Sequence, residues 1–277
     1  MEKQILRQVQ LVQLEIAKEV KRICEKYHIK YFLDSGTLLG AVRHKGFIPW
    51  DDDLDIAMLR IEYEKFLKVA PKELSSQYFL QTWDSDPYYP LAFAKIRKKN
   101  TLYWEAAAGT KQKHNEIYID IFPYDVFPIS TFQRFWQGIQ IRIYKQCMLS
   151  KAQAKPWVQI RHSIIKRHIF HLRCFIFRLF GSLFPRCFIK YLYKKIMVRY
   201  NHLSTGFLYE QTGASSYGKW VIPSSCLQSY CDLPFEDIEF SCPNDFDLFL
   251  RSVYGNYMQL PPENKRDNRH GIIKIKL

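Results

Sequence analysis

Four aspartates crowd into one short run, Asp51-Asp52-Asp53-Leu54-Asp55, followed by Ile56. With Leu54 and Ile56 in a strand, Asp53 and Asp55 project to one face, because side chains alternate with period two. Two carboxylates held side by side repel unless a cation lies between them. Ligands made only of oxygen select a hard ion, Mg²⁺ or Mn²⁺, with substrate phosphates completing its shell. Asp51 joins that face if the strand begins early enough, and Asp52 points away. An EF-hand is excluded, since its D-x-[DN]-x-[DN]-G spacing and closing Glu are missing. A solvated acidic loop would explain the charges but not the Phe47, Ile48, Trp50, Leu54, Ile56 and Met58 that surround them.

The residues just upstream add a phosphate-binding element. Tyr31-Phe32-Leu33 reads as a short buried strand. Ser35-Gly36-Thr37 then reads as a turn, and residues 38–42 as the first turns of a short helix. Gly36 lets backbone N–H groups approach a ligand closely, and a helix N-terminus favours a phosphate there. Arg43, His44 and Lys45 form a basic cluster directly after. Farther along, residues 117–125 alternate so that Tyr118, Asp120 and Phe122 share a face. A lone Asp in an apolar strand is costly unless it is paired or metal-bound. Asp125 reads as a residue that caps or turns the chain.

These residues carry a resemblance. Residues 33–58, LDSGTLLGAVRHKGFIPWDDDLDIAM, resemble the signature of the LicD family, whose relatives include fukutin and fukutin-related protein. The match is nearly continuous and far more specific than a lone D-x-D. It implies a branch of the nucleotidyltransferase fold, with Gly36-Thr37 as the Gly-Ser/Thr turn before the D-x-D strand of Asp53 and Asp55. It also implies transfer of a phospho-alcohol, phosphocholine or a polyol phosphate, from a CDP-linked donor to a glycan or lipid-linked glycan. Asp120 then supplies the third carboxylate on a neighbouring strand, and residues 120–125 are similar to the family's D-[IV]-F/W-P-x-D pattern. The family's K-x-R element with Asn-Thr after it is matched by Lys95, Arg97, Asn100 and Thr101, a cation pair that suits the donor's pyrophosphate. Without the resemblance, those residues read as a solvated edge strand. Phe235-Glu236, then Pro243, Asp245-Phe246-Asp247 and Tyr254-Gly255 ahead of Pro261-Pro262, are similar to the family's closing element. A histidine after those prolines occurs in many relatives, which implies a phosphate contact for His270, with a plain surface residue as the alternative. The resemblance covers residues 28–125 closely and 215–270 more loosely.

At 277 residues the chain can bury a core in one large domain, or in one domain with an elaboration. Seven cysteines, an odd number with no C-x-x-C pair, argue for a reducing compartment. Cys226, Cys231 and Cys242 are the only loose cluster; some eukaryotic relatives carry zinc, but this spacing suits it poorly. Residues 1–29 have no apolar signal core, and no apolar run reaches bilayer length. The expected setting is therefore cytoplasmic, peripheral at most on the inner face of the membrane.

The net charge of +14 is concentrated: residues 126–209 hold fifteen Lys and Arg and no Asp or Glu. Within that segment, residues 161–180 mix basic and large apolar side chains too finely to span a membrane. They suit a helix lying in the interface of an anionic bilayer. A basic helical cap on the core is the competing reading. Nucleic acid is disfavoured, because no helix-turn-helix, zinc or RNP pattern accompanies the charge. His162, His168 and His171 read as face residues, not as a metal cluster.

Residues 5–28 read as an amphipathic helix covering one face of a sheet. A helix over 61–74 is expected to break near Ala70, because Pro71 falls inside it. Residues 78–83 read as a strand, 84–87 as a turn, and 130–203 as helices interrupted near Pro156 and at 181–185. Phe246, Phe249, Leu250 and Val253 form a helical stripe that Gly255 can end. The fold class is α/β, a nucleotidyltransferase-like mixed sheet with flanking helices and a basic helical insertion. The core spans 1–128, the insertion 129–205 and the C-terminal part 206–277. Asp53, Asp55 and Asp120 are the expected metal ligands. Gly36 and Thr37 are expected to cradle phosphate, and Arg43, His44, Lys95, Arg97 and His270 to contact substrate. Asp51 or Asp120 would accept the acceptor's proton. Two rivals stand beside this reading: a D-x-D glycosyltransferase using a nucleotide sugar, and a non-catalytic membrane-associated glycan-assembly protein.

Overall fold

The computed structural model describes residues 2–105, 113–152, 175–177, 179, 181, 183–213, 217–266 and 272–277. Helix α1 (Lys3–Lys26) places Val9, Ile16, Val20 and Ile23 on one buried face, the stripe that a 3.6-residue period produces. That face packs on the sheet at β4 (Ala94–Lys98) and β6 (Tyr118–Val126).

Seven strands make one mixed sheet. β1 (Phe32–Leu33), β2 (Asp55–Leu59), β6, β4 and β3 (Tyr78–Gln81) lie side by side in that order. β7 (Phe207–Glu210) pairs with β6 and with β8 (Trp220–Pro223). β2 and β6 run parallel, while the other pairs in this sheet are antiparallel. The edge of β6 opposite β2 is shared, with β4 on residues 118–121 and β7 on residues 124–126. Helix α2 (Ser35–His44) joins β1 to β2, and α3 (Arg60–Glu73) follows β2 directly. The hairpin of β9 (Tyr230–Phe235) and β10 (Ile238–Pro243) and a helix at Phe246–Tyr254 close over α2. β5 (Leu102–Glu105) pairs with β11 (Ile272–Lys276) as a separate ribbon. Within the basic segment, α4 (Thr131–Lys151) and α5 (Arg186–Met197) pack together around Ile141, Met148, Ile189, Tyr193 and Ile196, an apolar cluster separate from the main core.

The structure departs from the sequence reading at four places. Ser35-Gly36-Thr37 is the first turn of α2, not a turn ahead of it, because the Asp34 side chain accepts the Ser35 N–H and starts the helix there. The acidic strand begins at Asp55, so Asp51, Asp52 and Asp53 precede it and strand alternation does not govern them. α3 passes through Pro71 to Glu73, since a proline in the last turn removes one hydrogen bond with little helix left to break. Asp125 neither caps nor turns the chain; it lies inside β6, 1% exposed, in a bidentate ion pair with Arg60. The stretch 161–174, with His162, His168 and His171, lies outside the described residues.

Candidate active site

The acidic run is held by its backbone. Gln10 and Gln13, buried on α1, donate to the carbonyls of Asp51 and Asp52 at 2.8 Å each. Two glutamines on an apolar helix face are costly to bury, and here they satisfy carbonyls that no strand pairs. Asp52 does point away, accepting the Tyr103 hydroxyl at 2.8 Å in the interior. Thr37 Oγ1 accepts the Asp55 N–H at 2.8 Å, which ties the first turn of α2 to the start of β2. Thr37 is thus engaged with the protein backbone through its acceptor side, and its hydroxyl proton is the group left for a ligand.

Parallel pairing then sets Asp55 directly beside Asp120, and antiparallel pairing sets Lys95 on the other side of Asp120. Residues in register on neighbouring strands share a face, so the three side chains converge. Lys95 Nζ donates to Asp120 at 2.6 Å and stands 3.4 Å from the centroid of the Tyr118 ring. Desolvation raises the Asp120 carboxyl above its usual range, against the opposing pull of Lys95. The Asp55 carboxyl is pushed well above the carboxylate range, first by desolvation and then by Asp53, Asp120, Asp34 and Asp51. Five acidic groups therefore press on one another at the mouth of β2.

Other expected site residues fall differently. A Cβ on Gly36 would lie 2.7 Å from Asp51 Oδ2, so this glycine makes room for the Asp51 carboxylate at the helix N-terminus. Arg97 is 1% exposed and bonded to Gln81 and to the Glu116 carbonyl, which makes it an interior brace and not a phosphate contact. Arg43 donates to the Tyr257 carbonyl at 2.8 Å, locking α2 to the C-terminal region beside Arg266, which lies over the Trp50 ring. His44 packs edge-on to Trp50, and desolvation lowers its pKa. His44 also lines a surface cavity of about 650 Å³ with Arg7, Lys18 and Glu236, which includes none of the site carboxylates. His270 lies outside the described residues. Cys231 and Cys242 face each other across the β9–β10 pair, each bonded to a backbone carbonyl.

Three residues join the site that the sequence did not single out. Tyr254, the last residue of the helix at Phe246–Tyr254 and 38% exposed, has its hydroxyl pushed well up, first by desolvation and then by Asp34, Asp51, Asp55 and Asp53. The Tyr89 hydroxyl is buried with no hydrogen-bond partner, and Asp120 is the charge it feels most. Asp34, 1% exposed, accepts both Ser35 N–H and the Tyr124 hydroxyl. Asp34 stands immediately before the helix, where the N-cap preference could have identified it; Tyr89 comes from the loop between β3 and β4 and Tyr254 from the end of the helix at Phe246–Tyr254, both distant in sequence.

Burial pushes the Asp34 carboxyl up to about 7. The folded chain therefore holds a proton between its unfolded value and about 7 that the unfolded chain has released. By linkage, stability from this group is largest at low pH, falls as pH rises through that window, and is flat above it. Asp34→Asn keeps the accepting oxygen and removes the charge. In metal-free protein, its thermal midpoint is expected to exceed wild type at pH 8 and to converge on it only as pH falls to about 4, the ordinary aspartate value. Parallel midpoint-versus-pH curves for the two proteins would refute this account.

The donors suit a hard divalent cation: all are carboxylate oxygens, crowded enough to repel, with Asp51, Asp53 and Asp55 only partly buried. Among the described residues, no three His, Cys, Asp or Glu side chains already form a metal cage, and Asp120 is turned to Lys95. The chemistry of the set fits, with one Asp120 oxygen engaged by Lys95.

Comparison with known proteins places this geometry in a family. The family model described as "LicD/FKTN/FKRP, nucleotidyltransferase domain" matches residues 28–165. The chain is 32% identical over 280 residues to the lipopolysaccharide cholinephosphotransferase LicD of Haemophilus influenzae, spanning 98% of this chain and 97% of that protein. It is 43% identical over 44 residues to the ribitol 5-phosphate transferase FKRP of Homo sapiens, which is 16% of this chain and 9% of that protein. An uncharacterized protein of Rickettsia prowazekii, RP689, is 34% identical over 118 residues, 43% of this chain and 41% of that protein.

Proposed function

This chain belongs to the LicD family, and from that premise we propose that it moves phosphocholine from a CDP-activated donor to a lipopolysaccharide-type cell-surface glycan. It is a LicD-like phosphotransferase. The observation that carries the finer reading is the convergence of Asp55, Asp120 and Lys95 on three adjacent strands, with Asp53 next in the chain. Choline phosphate is preferred to a polyol phosphate because similarity to the cholinephosphotransferase spans 98% of the chain, against 16% for the ribitol-phosphate enzyme. A D-x-D segment that leads into β2 beside a third carboxylate on β6 also supports a nucleotidyltransferase-like core.

Asp53, Asp55 and Asp120 would hold Mg²⁺ or Mn²⁺, which when bound supplies positive charge to the donor phosphate and to the leaving CMP. Lys95 balances the Asp120 charge in a poorly solvated place and keeps that carboxyl from drifting further upward. Arg43 and Arg266, beside Trp50, add cationic and aromatic surface for a nucleotide. We take Asp51 as the acceptor of the glycan hydroxyl's proton, because its carboxylate is partly exposed and lies over Gly36 in the first turn of α2. The Tyr89 hydroxyl, unsatisfied in the free enzyme, is a donor for a substrate oxygen near Asp120.

The test is a thermal-shift comparison of CDP-choline, CDP-ribitol, CDP-glycerol, CMP and UDP- or GDP-sugars, with and without Mg²⁺ or Mn²⁺. Saturating CDP-choline with metal is expected to stabilise the fold by about 2.7 kcal/mol at a hundredfold excess over Kd, and neither alone to match it. Stabilisation only by a UDP- or GDP-sugar would replace this proposal with the glycosyltransferase. A preference for CDP-ribitol would keep the class and change the cargo.

A further inference from the structure

We infer that the first turns of α4 form a docking surface for an anionic lipid bilayer. Ile129, Phe132, Phe135 and Trp136 are 61%, 71%, 63% and 50% exposed. Phe132, Phe135 and Trp136 stand at i, i+3 and i+4, so they form one continuous stripe on the helix, and Ile129 precedes them one turn away. Four large apolar side chains projecting together make a patch that ordinary surfaces avoid. Their own helix shows that this is not loose packing, because Gln137, Gly138 and Ile141 on the opposite side are buried against the rest of the chain.

Charge decides the occupant. Arg142 continues the same stripe and is exposed, and Arg199, also exposed, bonds to Gln140 beside it. Residues 126–209 contain no Asp or Glu. A second copy of this face would meet it with like charge, which opposes a dimer through these residues. An anionic bilayer meets both requirements, with acyl chains for the aromatic stripe and headgroups for the arginines. No helix among the described residues is long and apolar enough to cross a membrane, so the geometry is that of a side-on contact. The residues of this surface lie outside the stretch 161–180 in sequence, and the inference does not rest on the choice of donor.

Flotation of the whole protein with vesicles of phosphatidylcholine, with and without phosphatidylglycerol, tests the surface. Wild type is expected to float with the anionic vesicles and to release as salt rises. Phe132→Glu with Trp136→Glu is expected to weaken that binding at least about tenfold, with an unchanged melting temperature because both positions are exposed. Arg142→Glu with Arg199→Glu should remove the preference for phosphatidylglycerol. Wild type that ignores anionic vesicles, or an apolar double variant that binds them equally, overturns the inference. So does a wild-type dimer dissolved by the apolar double variant, or oligonucleotide binding lost in that variant while vesicle binding persists.

Discussion

Asp55→Asn is expected to reduce phosphocholine transfer on the order of a thousandfold while leaving the protein folded and no less thermally stable than wild type. The activity loss follows from removing one carboxylate of the convergent set, a scale comparable to deleting one preorganised charge-stabilising group. The stability expectation has the opposite sign because Asp55 is pressed by Asp53, Asp120, Asp34 and Asp51, and neutralising it relieves that repulsion in metal-free protein. Asn also preserves the side chain's shape, and the Thr37 bond to the Asp55 backbone N–H is untouched. A third readout separates a site role from damage: Mg²⁺ or Mn²⁺ should stabilise wild type and fail to stabilise the variant. Transfer within tenfold of wild type would remove Asp55 from the site. A midpoint many degrees lower would show that the residue serves the fold.

Asp125→Ala is expected to cost about 3–5 kcal/mol of stability, the range for breaking a buried ion pair by deleting one partner. Asp125 accepts Arg60 Nε at 2.9 Å and Nη2 at 2.6 Å, Asn201 at 2.7 Å and Gln211 at 2.6 Å. Those partners come from the start of α3, the segment after α5 and the end of β7, so one carboxylate joins three regions. Alanine leaves the Arg60 guanidinium, whose side chain is 12% exposed, with only Glu64 among the described residues, at 3.6 Å, to offset the desolvation that the ion pair had balanced. Against a typical total of about 5–15 kcal/mol, such a loss removes much of the folding stability. Urea unfolding of wild type and variant measures it. A difference below about 1 kcal/mol would mean that water reaches Arg60, and that the pair is worth no more than a surface one.

These two residues mark the reach of local sequence. The acidic run, the α2 segment, the β6 strand and α1 were all legible, because a motif or a periodicity is a property of neighbouring residues. The run of residues 33–58 also carried the family and, with it, the class of enzyme. Lys95 and Arg97 show where that information stopped. Two residues apart, they are indistinguishable as a cation pair on a strand. Register against β6 gives Lys95 to Asp120 and Arg97 to the flank of Tyr118, and the loop that carries Tyr89 and Asp86 packs over the same region.

Burial and cross-strand register are non-local, and here they decided the chemistry. Asp120 faces Asp55 because β2 and β6 pair in parallel with that register, and a one-residue slip would have turned one of them away. Asp125, five residues on from Asp120, points to the opposite face and became a structural anchor. Gly36 and Thr37 carried a phosphate signature, yet the fold uses the glycine to admit Asp51 and the threonine to hold β2. The charge of residues 126–209 was plain from composition, whereas the exposed stripe of Phe132, Phe135 and Trp136 emerged only once α4 had committed its other face to α5. Residue types and spacing determined which groups this protein has for its chemistry; the packing of distant segments determined which of them meet, because desolvation and pairing depend on neighbours that the chain brings together only when folded.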